Sequence, residues 1–97
     1  MLDIFYVQAR EPKPDSAWVA HARESDYELA DMMARLIEEG MGERYPAGVA
    51  VGRVARADAD LSPEEVGAAD RTLAAPTQED ADYRAALKDE ARRRLGR

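Results

Sequence analysis

The sequence predicts a small α+β domain: a three-stranded mixed sheet in the order β-β-α-β, packed on one helix and followed by two C-terminal helices. Three observations carry this reading. Two short runs rich in aromatic and β-branched residues, 2–10 and 17–22, flank the turn-forming "EPKPDS". Apolar residues then recur at helical spacing over 26–39. A third alternating run at 48–56 is followed by two segments that each open on helix-capping residues.

In the first run Phe5, Val7 and Ala9 alternate with Ile4, Tyr6 and Gln8, which predicts a strand with one well-buried face. The second run sets Trp18, Ala20 and Ala22 opposite Ala17, Val19 and His21, and a hairpin is the expected arrangement. Ser25 with Glu28 three residues later has the spacing of a capping box. Leu29, Met32, Met33, Leu36 and Ile37 form the apolar stripe of the helix, and Gly40 fits the left-handed residue that ends it. In 48–56, Val49, Val51 and Arg53 alternate with Ala50, Gly52 and Val54. Gly52 there marks a bulge or the close approach of another backbone.

Ser62, Pro63 and Glu65 supply the cap, first position and capping-box acid of a second helix, and Pro76 ends it. Thr77 caps a last helix over 78–95. The chain reads as one domain over 1–97, with a ββαβ core in 1–61 and a two-helix extension in 62–97. Large apolar side chains concentrate in the first part. Residues 62–97 offer only Val66, Leu73, Tyr83, Leu87 and Leu95. One sheet face is left without an obvious cover, to be closed by the C-terminal helices or by a second copy.

Composition narrows the function classes. A net charge of −6 argues against wrapping nucleic-acid phosphates, which needs clustered Lys and Arg. The late arginines Arg92, Arg93 and Arg94 are a local exception on an acidic chain. Without cysteine there is no disulfide, thiolate nucleophile or cysteine zinc site. No run approaches the ~18 apolar residues of a membrane span. The expectation is a cytoplasmic protein that makes no membrane contact. Abundant alanine and the excess of arginine over lysine associate it with bacterial or phage genomes.

His21, the single histidine, invites a catalytic or metal-binding reading. Beside Trp18 and Val19 on a strand, the packing reading is stronger. Ser25, Ser62 and Thr77 are accounted for as caps and Ser16 by the turn, so no hydrolytic triad is expected. "AGVAVG" lacks the Lys-Ser/Thr of a phosphate loop. Asp58, Asp60, Glu64 and Glu65 cluster without the spacing of a calcium loop, and they suit a helix start. No cofactor and no metal is expected. The motifs carry no family assignment.

Two functional expectations remain. The first is a non-enzymatic protein-protein interaction or regulatory module, homodimeric, contacting its partner through the open sheet face and the seam Tyr83–Leu87–Leu95 of the last helix. Tyr6, Trp18 and Met41 join these as candidate contacts, because interface centres favour aromatic residues, Met and Arg. On this reading, charged residues at Tyr83 and Leu87 weaken association without unfolding the domain. The second is a small enzyme or ligand-binding protein with a pocket around His21, Tyr6 and Trp18.

Overall fold

The computed structural model describes residues 2–42 and 44–97. β1 (Phe5–Arg10) is the central strand, with β2 (Val19–Glu24) on one side and β3 (Val51–Arg56) on the other. Both ladders are antiparallel, so the two outer strands run parallel to each other across β1. The sheet is thus antiparallel and not the expected mixed one, because β3 pairs with β1 and not with β2. The connection from β2 to β3 passes over one face as α1 (Tyr27–Glu38).

The small residues explain how closely α1 lies. Ala9 pairs with Gly52 in the β1–β3 ladder, and α1 presents Ala30 and Ala34 to the sheet. A Cβ at Gly52 would lie 2.3 Å from the Ala34 carbonyl oxygen. Gly52 therefore marks a close backbone approach, one of its two expected roles. Around this contact Val7, Leu29, Met33, Leu36 and Ile37 fill the main core.

α1 begins one residue later than its sequence signature implies. Asp26, not Ser25, is the N-cap, and its carboxylate accepts from the amides of Glu28 and Leu29. The proposed Ser25–Glu28 capping box is therefore not formed. Both residues can cap, and a one-residue shift keeps the same apolar stripe inward. At the other end Gly40 has φ +83°, with the Gly40 and Met41 amides bonded to Ile37 and Leu36 carbonyls, a Schellman motif.

The second strand departs from simple alternation. Val7 pairs with Ala22 and Gln8 with Ala20, leaving His21 as the extra residue of a β-bulge. Ala22 consequently packs in the α1 core while Ala20 joins a second cluster on the other face. Their expected common face is lost, because the bulge adds one residue to a period of two.

That second cluster is built by α2 (Pro63–Ala74), which opens on the predicted Ser62–Glu65 capping box. Ala69, Val66, Leu61 and Leu73 meet Tyr6, Ile4 and Ala20 there. The sheet is thus covered on both faces at its Tyr6 end, and Tyr6 through Ala9 are all buried. α3 (Gln78–Arg94), capped by Thr77, packs on α1. Its Tyr83, Leu87 and Ala91 enter the main core, so that core extends well beyond residue 61. The result is a compact α+β fold with a radius of gyration of 12.6 Å. No helix among the described residues is long and apolar enough to cross a membrane.

Candidate functional site

α2 stops short of one end of the face it covers. Beyond Ala20 and Gln8 the same face carries Trp18, Arg10 and Arg53, all half-buried. The ladder explains the grouping: Arg53 lies opposite Gln8, and Arg10 follows two residues along β1 on the same face. Trp18 precedes β2 and brings its indole against both guanidinium groups. The Arg10 guanidinium carbon is 4.6 Å from the ring centroid, and that of Arg53 is 4.2 Å. At such distances the guanidinium charge is attracted to the ring face.

Electrostatically the group is unusual for an acidic chain. Arg53 Nε donates to the buried Gln8 side-chain oxygen at 2.8 Å, a neutral partner. Neither Arg10 nor Arg53 makes an ion pair among the described residues, and Arg10 Nε is buried without a partner. Desolvation pulls the Arg53 pKa below its usual value; Glu65 and Asp60 offset part of this, and Arg10 adds to it. A groove of about 340 Å³ adjoins the stack, lined by Gln8, Ser16, Trp18, Glu65, Ala68 and Thr72. The arrangement offers an aromatic face and forked donors to an anionic group.

His21 belongs to a different place. The bulge turns it toward α3, where it is 2% exposed. Its Nε2 lies 3.0 Å from the Tyr45 hydroxyl, and the His21, Tyr45 and Tyr83 rings meet edge to face at centroid distances of 5.3 to 5.9 Å. Burial drives the His21 pKa down to about 4, with Arg44 and Arg84 adding to the effect and Asp80 opposing it. Burial also pushes the Tyr83 hydroxyl up to about 12. Among the described residues neither His21 Nδ1 nor the Tyr83 hydroxyl, both buried, has a partner. An imidazole that stays neutral at pH 7 has a lone pair or a proton to offer, depending on which nitrogen carries hydrogen.

The other candidate contacts are distributed as follows. Tyr6 is 1% exposed and donates to Asp70 at 2.6 Å, fastening α2 to the sheet. Leu87 is fully buried and Tyr83 nearly so, while Leu95 and Met41 pack against the same core. The seam of α3 therefore faces α1 within the chain. Tyr6 and Trp18 lie on the α2 face and His21 on the α3 side, so these three do not line one pocket. Of the candidate contacts only Trp18 is presented at a charged surface. Arg10 and Arg53 escape the sequence because their meeting depends on strand order; only the facing of Arg53 hints at it.

The acidic loop is structural. Asp58 and Asp60 bind Arg56, and Glu65 bonds back to the Ser62 amide. Among the described residues no group of three or more His, Asp or Glu is placed to hold a metal ion. Arg94 pairs with Glu39 and Glu90, and Arg93 with Glu90, which neutralises much of the terminal arginine cluster. Compared with protein-family models, curated proteins and solved structures, the chain shows no significant match.

Proposed function

We propose that this chain is a small non-enzymatic interaction module of the cytoplasm that grips an acidic segment of a protein partner at the open end of its second sheet face. The observation that carries the reading is Trp18 with the Arg10 and Arg53 guanidinium groups both against its ring, neither making an ion pair among the described residues. Tryptophan and arginine dominate the energetics of protein interfaces, since both combine a large apolar surface with directional donors. Here the indole anchors the contact and each guanidinium takes a carboxylate. The surrounding acidic surface repels segments that lack the right placement of charge.

A homodimer through the same patch is disfavoured by charge. A two-fold contact sets each patch against its own copy, placing like arginines together. The homodimer expected from sequence therefore needs another face, and the proposed partner is a different, acidic chain.

Trp18 is the only tryptophan, so its fluorescence reports on this surface alone. Titration with a hexaglutamate peptide at low salt is expected to shift Trp18 emission saturably. Added salt reverses the shift, and Arg53→Gln weakens it about tenfold, the loss of a charge-assisted contact. An equal response to a neutral peptide, a stronger one to a DNA oligonucleotide, or none at all overturns the proposal. Native mass spectrometry of the same sample reads self-association directly, and a dimer broken by Arg53→Gln would also contradict it.

A further inference from the structure

A second cavity, separate from the Trp18 surface, lies between β2 and α3. It measures about 310 Å³ and is lined by His21, Ala22, Met33, Leu73, Arg84 and Lys88 among others. Its walls divide by chemistry. Ala22, Met33, Leu73 and Ala85 give an apolar floor, while Arg23, Arg84 and Lys88 supply three cations. Glu24 is the one acid of the lining, and it is engaged by Lys88 at 2.8 Å. The lining of this cavity is therefore cationic in a chain of net charge −6.

Donor capacity also exceeds the internal acceptors. Among the described residues the terminal nitrogens of Arg84 reach only the backbone carbonyls of Leu73 and Thr72, at 3.4 and 3.3 Å, and Arg84 Nε is buried with no partner. His21, almost wholly buried, leaves Nδ1 without a partner among the described residues while Nε2 meets Tyr45. If the Tyr45 hydroxyl donates to Nε2, Nδ1 carries the hydrogen and is a spare donor. Buried polar nitrogens of this kind are costly to leave unmet, and two belong to residues of one cavity.

We propose that this cavity binds a small aliphatic monocarboxylate, its chain on Met33, Leu73 and Ala85 and its carboxylate toward Arg84 and Lys88. An apolar wall with a few converging polar groups is the usual form of a small-ligand site, and the volume is at the small end of that class. Size and charge select a short monoanion. A neutral alcohol of the same length gains the apolar contact without the ionic one, and a polyanion meets Glu24.

The test is a titration of the full chain with hexanoate, followed by nitrogen-edited NMR of the His21 imidazole and the amides of Ala85 and Lys88. Saturable shifts at these groups below ~10 mM are expected, a weak but specific affinity for so small a ligand. Hexan-1-ol is expected to bind about tenfold more weakly, and Arg84→Gln to weaken hexanoate by a similar factor. Because Arg84 also holds the end of α2, Lys88→Gln serves as the second variant and is expected to lose several-fold. No saturable shift, equal binding of hexanol, unaltered affinity in Lys88→Gln, or shifts centred on Trp18 and Arg53 would each overturn the assignment. The last outcome would place the anion on the interaction surface, so failure here leaves that proposal standing.

Discussion

Because His21 is buried and its charged form disfavoured, protonating it opposes folding. Its ordinary pKa of 6.5 falls to about 4 in the native state. Between those values the unfolded chain binds the proton and the native chain does not, so stability is full above pH 6.5 and declines as pH falls toward 4. Arg44 and Arg84 lie near the ring and steepen this, Asp80 moderates it, and Tyr83, its hydroxyl pushed up to about 12, stays neutral there. Denaturant titrations are expected to show a loss of about 2 kcal/mol from pH 7.5 to 5, before most carboxylates titrate. His21→Gln should flatten that slope; an equal slope in the variant would mean other groups carry it. The neighbouring Tyr83 hydroxyl is a separate matter. Buried and without a partner among the described residues, it is not seen to make an internal bond, so Tyr83→Phe is expected to be neutral or to stabilise by up to about 1 kcal/mol. A clear loss in chemical denaturation would reveal a hydrogen bond to that hydroxyl.

Helix starts were the most legible elements, since capping is local chemistry. Ser62 and Thr77 cap as read, and Pro63 and Pro76 bracket α2 as expected. The start of α1 was ambiguous because Ser25 and Asp26 are both cap-forming types. The structure separates them: Asp26→Ala is expected to lower stability clearly more than Ser25→Ala, with Asp26→Asn recovering most of the loss. Thermal melts of the three variants decide the assignment, and an order reversed between Ser25 and Asp26 would refute it. Strand detail was less legible. The bulge at His21 and the meeting of Arg10, Trp18 and Arg53 follow from which strands pair, a non-local property that one-strand periodicity does not contain. Gly52 was legible as special, because a glycine inside a strand needs a cause. Its cause is the Ala34 carbonyl, and Gly52→Ala is expected to lose about 2–3 kcal/mol as α1 is pushed off the sheet.

For the whole molecule, the decisive question is what α3 packs against. Its seam is narrow enough that the sequence allows either a partner or the chain itself, because periodicity says which face is apolar and not what meets it. Inside the fold, Tyr83, Leu87 and Ala91 close the main core beside α1, with Tyr83 meeting His21 of β2. A chain of 97 residues has a thin core and a stability within about 5–15 kcal/mol, so one deep side chain on α3 weighs heavily. Leu87 is fully buried, and Leu87→Ala removes its contacts while leaving a cavity against α1. The expected cost is about 2–5 kcal/mol. For a domain of this size that lowers Tm by roughly 10 °C or more. Charged residues at Tyr83 and Leu87 are then expected to release α3 or unfold the domain, in contrast to the sequence-based expectation of weakened association with the fold intact. Circular dichroism melts paired with sedimentation of the same variants separate the two. A Leu87→Ala protein that melts like the wild type but sediments as a smaller species would return the seam to the outside of the molecule, and with it the dimer. A lower melting temperature at unchanged size would fix α3 as part of the core, leaving the Trp18 surface as the place where a partner is met.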